Sequence, residues 1–166
     1  LNANEIIEKF KLKTHPAEGG YYSETYRADH ILSESSLPNN YDAERSLSTA
    51  IYYMLTHDTR SILHRLPTDE VYHFYLGDPV LMLQLYPDGT TKTVILGQDI
   101  DAGQSVQITV PKNVWQGSYL IEGGEYALMG TTMAPGFEFG DNEIGDRNDL
   151  IKLYPEAEEI IIELTE

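Results

Sequence analysis

The stretch Asp58–Gly77, DTRSILHRLPTDEVYHFYLG, decides the fold of this chain. A half-apolar run, Ser61–His64, leads into Leu66-Pro67-Thr68-Asp69. That segment reads as a turn, because proline fixes φ and has no N–H, while an aspartate can bond its own backbone. Val71–Leu76 is aromatic and β-rich, and Gly77-Asp78-Pro79 ends it. Two strands joined in this way predict a hairpin. Alternation puts Glu70, Tyr72, Phe74 and Leu76 on one face of the second strand, and Val71, His73 and Tyr75 on the other. His64 and Leu66 share a face of the first strand. The spacing of His64, Glu70 and Gly77 suits a small barrel that aims one imidazole and one carboxylate into a shared cavity.

The pattern repeats outward. Tyr21–Arg27 and Ser48–Leu55 read as strands upstream, the first entered through a turn at Gly19-Gly20. Downstream, Val80–Tyr86 and Thr90–Leu96 flank the turn Pro87-Asp88-Gly89. Ser105–Val110 stops at Pro111. Trp115–Ile121 and Glu125–Thr132 read as a further pair, and Ala134–Phe139 as the strand that ends the barrel, with Glu138 outward. His30–Arg45 is polar and long, as lids, interface arms or disordered loops are. Short helices are expected at both ends. Asn2 and Glu5 cap Ala3–Phe10, whose Ile6, Ile7 and Phe10 form one apolar face against the barrel exterior. Asp146–Tyr154 and Glu156–Leu164, divided at Pro155, present a second cover. The expectation is one all-β domain over 166 residues.

Eleven basic against 27 acidic residues give a net charge of −16. Such a field repels nucleic acid and anionic membranes, so neither is expected as a partner. No run of apolar residues is long enough to span a bilayer, and no secretory leader is visible, although the sequence begins at Leu1. The absence of cysteine excludes disulfides and thiolate chemistry, and a cytoplasmic location is expected.

The organising stretch resembles the first motif of the cupin superfamily through His64, Glu70 and Gly77, with Leu66 in place of a second histidine and Asp58 in place of the opening glycine. The second motif is represented by Pro111, with Asn113, Gln116 and Leu120 replacing its glycine, histidine and asparagine. The whole chain is similar to a single-domain cupin family of unknown function, through HPAEGGYYSETYR (His15–Arg27), STAIYYMLT (Ser48–Thr56), HRLPTDEVYHFYLGDP (His64–Pro79), VPKNVWQG (Val110–Gly117) and APGFEFGDNEIGDR (Ala134–Arg147). The resemblance implies a double-stranded β-helix, or jelly-roll barrel, with a small-molecule pocket.

It also implies a site. One reading is a metal-poor epimerase or isomerase, with no cofactor required, acting by proton transfer on a small polar molecule such as a sugar or sugar nucleotide. His64 is then the base, Glu70 its orienter and Tyr72 the acid. Arg60 precedes His64 much as an arginine does in cupins that epimerise nucleotide-linked deoxysugars. Tyr53, Phe74, Trp115 and Gln116 are expected to line the pocket, with Tyr21 and Phe139 as further aromatic candidates. A second reading is a binding protein without chemistry. A third places a divalent metal on His64, Glu70 and Gln116, a set poor in nitrogen donors. A homodimer is expected, paired through Tyr21–Arg27.

Overall fold

The computed structural model describes every residue of the chain except Asn40, which lies in the segment expected to be a long loop. In chain order the elements are α1 (Ala3–Lys9), β1 (Lys13–Thr14), β2 (Tyr21–Arg27), β3 (Ile31–Leu32), β4 (Arg45–Ser46), β5 (Thr49–Thr56), β6 (Ser61–Arg65) and β7 (Glu70–Gly77). They continue with β8 (Val80–Leu85), β9 (Thr91–Leu96), β10 (Gln107–Val110), β11 (Trp115–Leu120), β12 (Tyr126–Met133), β13 (Glu143–Ile144), α2 (Arg147–Leu153) and α3 (Glu158–Glu163).

Two antiparallel sheets result. One has the order β1-β2-β5-β12-β7-β10 and the other β13-β6-β11-β8-β9. From β5 to β8 the chain crosses between the sheets at every connection, as a jelly roll does. Alternation then fills the space between them: Tyr53, Leu55, Tyr72, Phe74, Met82, Val110 and Met129 pack in one buried cluster. The outward residues are covered by helices. Ile6 and Leu12 sit on Met54 and Leu128. Leu150, Ile161 and Leu164 sit on Leu63, Leu83 and Leu85. The expected capping box of Asn2 and Glu5 is formed at α1. Among the described residues, no helix is long and apolar enough to cross a membrane.

Four expectations about local structure need correction. β6 and β7 are not a hairpin, because they belong to opposite sheets. The turn between them is held by its surroundings: Asn113 N–H donates to Leu66 O, Lys112 N–H to the Asp69 carboxylate, and Tyr41 bonds Thr68. The chain therefore rounds a corner there instead of folding back on itself. β11 and β12 likewise part to different sheets. Leu76 does not share the inner face of Glu70, Tyr72 and Phe74. The register of β12 on β7 slips between Leu128 and Met129, opposite Leu76 and Phe74, and this turns Leu76 outward. Finally, Ala134–Phe139 is not a strand. It forms a strap that crosses the barrel mouth before a short 3-10 turn, Phe139–Asp141. Phe137 N–H donates to Thr49 Oγ1, Gly136 N–H to Ser46 O, and Asp141 pairs with the buried Arg45.

Candidate functional site

The site begins in the turn His15–Gly20. His15 N–H donates to Gly20 O, and the ring nitrogen Nδ1 accepts from the backbone N–H of Ala17 (3.3 Å) and Glu18 (3.2 Å). That leaves the proton of a neutral His15 on Nε2. Gly19 and Gly20 both have φ in the left-handed region, at 93° and 73°. The turn docks on the barrel through Tyr53 Oη, which donates to Gly19 O at 2.6 Å, and through Ile62 N–H, which donates to Glu18 O at 2.8 Å. The glycines thus let the chain approach itself, and the turn drops Glu18 into the barrel mouth.

There Glu18 Oε2 lies 2.7 Å from His64 Nε2. The ring N–H points off the carboxylate, so the contact is an ion pair rather than a linear hydrogen bond. His64 Nδ1 donates to Ile62 O at 2.7 Å. Burial alone would depress the His64 imidazole, but the Glu18 carboxylate and the Ile62 carbonyl hold it up at about 9. Burial would likewise raise Glu18, and His64 overcomes this to keep its carboxyl low. His15 is lowered, chiefly by burial.

Glu70 takes the opposite course. Burial and the nearby Glu18 charge push it up to about 7, against the pull of His64, Gln116 and Thr131. It belongs to a buried chain in which Tyr72 Oη donates to Gln116 Oε1 (2.8 Å) and Gln116 Nε2 donates to Glu70 Oε1 (2.9 Å). Burial raises the Tyr72 and Tyr53 hydroxyls well above their ordinary range.

A narrow cavity of about 30 Å³, room for a water or a single hydroxyl, opens here, with His15, Glu18, Glu24, Glu70, Thr131 and Phe137 among its walls. It continues into a wider vestibule, where Lys13, Tyr22, Arg27, Glu138 and Phe139 join His15, Glu24 and Phe137. His15, Tyr22 and Phe139 pack ring against ring, with centroids 4.9–5.9 Å apart. Arg27 fastens the strap to β2, bonding Glu24, Glu138 and Phe137 O.

The structure gathers some of the expected residues and disperses others. His64, Glu70, Tyr72 and Gln116 stand at one end of the barrel interior, although only Glu70 reaches the cavity wall. The partner of His64 is Glu18, not Glu70, which corrects the expected pairing. Tyr53 and Phe74 are inside but serve the core. Arg60 is exposed beside Thr59 and Tyr119, outside the cavity. Trp115 faces the C-terminal helices with Arg65 over its ring, because the alternation of β11 sends Gln116 inward instead. Tyr21 packs under α1, and Phe139 stands in the vestibule. His73 points away from the core to Thr132 and Gln107, as alternation predicts. His15 and Glu18 were missed. Their trace in the sequence is a histidine and a glutamate three apart around Pro16, just ahead of two glycines.

The implied metal set does not fit a divalent ion as arranged. His64 Nδ1 is spent on Ile62 O, its Nε2 faces Glu18, and Gln116 Oε1 accepts from Tyr72. Among the described residues, no three His, Cys, Asp or Glu side chains gather as a metal cage.

The model of a family described as "Cupin superfamily (DUF985)" matches residues 4–145. The uncharacterised protein YML079W of Saccharomyces cerevisiae is 28% identical over 156 residues, which cover 89% of this chain and 77% of the yeast protein. The crystal structure of protein SO0799 from Shewanella oneidensis superposes with a TM-score of 0.88 at 31% identity, covering 100% of this chain and 98% of the other. A hypothetical protein from Leishmania major matches equally well, with a TM-score of 0.88, 30% identity and 99% of both chains covered.

Proposed function

The chain belongs to the cupin superfamily (DUF985), and from that premise we propose that its barrel mouth binds a small polar molecule and moves a proton on it, with Glu70 as the acid–base group. One observation carries this reading: a buried carboxylate on the cavity wall is held at about 7, beside a fixed ion pair. A general acid or base works best when its pKa lies near the working pH. His64 is not the base, since both of its nitrogens are engaged and it holds its proton to about 9. It stabilises the charge of Glu18 instead. Tyr72 acts through Gln116, which orients the Glu70 carboxylate. A sugar, free or nucleotide-linked, suits such chemistry, because one near-neutral base can take a proton from a carbon beside a carbonyl and return a proton to the resulting enolate.

The test uses solvent isotope. Wild-type protein is incubated in D2O with a panel of keto-sugars and nucleotide-linked keto-sugars, and each compound is weighed by mass spectrometry. Gain of one deuterium on a compound that binds, lost in Glu70→Gln while binding persists, is expected. Binding without exchange across the panel would overturn the catalytic role and leave a binding protein. No metal takes part in this reading, so elemental analysis of untagged protein should give well below one metal per chain.

A homodimer is proposed through β2. Among the described residues, β1 pairs only Tyr21 and Tyr22 of that strand, and Tyr26, Ile31 and Leu47 are exposed near its far end. Light scattering should return twice the chain mass; a monomer would refute the pairing.

A further inference from the structure

Two polar atoms at the cavity, His15 Nε2 and Glu18 Oε1, are left without a hydrogen-bond partner among the described residues, and the proposed chemistry gives neither atom a contact with the ligand. His15 is 5% exposed and Glu18 7%. His15 Nδ1 accepts two backbone N–H groups, so Nε2–H is the free donor. Glu18 Oε2 is engaged by His64, whereas Oε1 has His15 Nε2 at 4.0 Å, too far for a hydrogen bond. Both residues line the cavity, so an open donor and an open acceptor stand side by side where an occupant can reach them.

We propose that His15 and Glu18 form a fork that receives one hydroxyl of an uncharged, polyhydroxylated ring, whose body lies in the vestibule against Phe137 and Phe139. This rests on reading the cavity as a small-molecule site. A hydroxyl oxygen about 2.8 Å from both atoms fits between them, accepting from His15 and donating to Glu18. An ammonium group does not fit, because it has no lone pair for the His15 N–H. An anion fits worse. The inner cavity is walled by Glu18, Glu24 and Glu70, with no lysine or arginine among its lining residues. In the vestibule, Arg27 is already bound to Glu24, Glu138 and Phe137 O, and Lys13 Nζ lies over the Tyr22 ring, 5.2 Å from its centroid. Phe137 and Phe139, set edge to face at 77°, offer an apolar corner to the carbon face of a ring that wets its edge.

Binding of matched probes by calorimetry and ligand-observed NMR tests the fork. The panel holds neutral pentoses and hexoses, their singly deoxygenated analogues, and the corresponding hexosamines and uronic acids. Neutral sugars should bind best, uronic acids at least tenfold more weakly, and one deoxy position should cost about tenfold in wild-type protein. That penalty should disappear in His15→Phe and survive in His15→Gln, which keeps a donor. Since Glu18→Gln strips His64 of its counter-charge, the wild-type comparison of parent and deoxy sugar is the primary readout. Deoxy analogues that all bind like their parents, or a preference for hexosamines or uronic acids, would overturn the inference. Deuterium exchange is scored separately. Neutral sugars that bind without exchange would remove the catalytic reading and leave the fork. Exchange confined to charged compounds would remove the fork and leave the catalysis.

Discussion

Glu18 Oε2 stands 2.7 Å from His64 Nε2, joining the turn before β2 to the inner face of β6. Glu18 is 7% exposed and His64 fully buried. Each charge is therefore tolerable only because of the other. The pair fixes the field at the barrel mouth, lifting His64 and, through the Glu18 charge, helping to lift Glu70.

Glu18→Gln should leave a buried imidazole that is no longer held in its charged form. Removing one partner of a buried pair costs about 3–5 kcal/mol. Urea unfolding should show a loss of that order, partly restored in Glu18→Gln/His64→Gln. A loss below about 1 kcal/mol would mean that the two side chains are effectively solvated.

Stability should decline with pH on the alkaline side of neutrality. His64 has a folded pKa of about 9 against an ordinary 6.5, so its contribution is full below 6.5 and is lost as pH rises through 9. Glu70, raised to about 7, adds a decline between 4.5 and 7. His15, which is lowered, opposes that decline only up to 6.5, and the depressed Glu18 contributes stability that is lost only at acid pH. Between pH 6.5 and 9 the slope should approach about 1.4 kcal/mol per pH unit. His64→Gln should flatten it; an unchanged slope would contradict the assignment.

Glu70→Gln should fold normally, because a neutral side chain replaces one already half neutral near pH 7. It should abolish solvent exchange into a bound ligand, and wild-type exchange should show an ionisation near 7. Exchange that persists in this variant would move the acid–base role elsewhere.

Gly20→Ala should be destabilising by more than the ordinary 1 kcal/mol or so for a left-handed position. A Cβ there would come within 2.7 Å of Tyr53 Oη and 2.9 Å of Met54 O, in the turn that presents His15 and Glu18. Thermal denaturation and the loss of ligand binding should move together. A neutral result would show that the turn can relax without moving Glu18.

Arg27→Ala should loosen the strap without unfolding the barrel. Its ion pairs with Glu24 and Glu138 are partly exposed and worth about 1 kcal/mol or less. Amide exchange at residues 136–139 should accelerate while β5 and β12 stay protected. Equal acceleration in those strands would show that Arg27 supports the barrel itself.

Much of the fold was legible because strand periodicity and turn chemistry are local. The alternation in Glu70–Phe74, the turn at Pro87–Gly89 and the cap at Asn2 all follow from neighbouring residues. The pairings were not legible: a turn such as Leu66–Asp69 looks the same whether its strands pair with each other or part to opposite sheets. The bulge that exposes Leu76 likewise depends on β12, far along the chain.

The site divides in the same way. The sequence alone determined that Glu70 and Tyr72 share one face of β7 and His73 the other, because the side-chain period of a strand is two. Only the tertiary structure decided what they do there. Folding brings Glu18 across from another turn to take His64, sends Trp115 outward and Gln116 inward, and leaves Glu70 as the carboxylate whose charge is contested. Charge in a buried site is set by whatever stands within a few ångströms, and that neighbourhood is assembled from segments that are remote in the sequence.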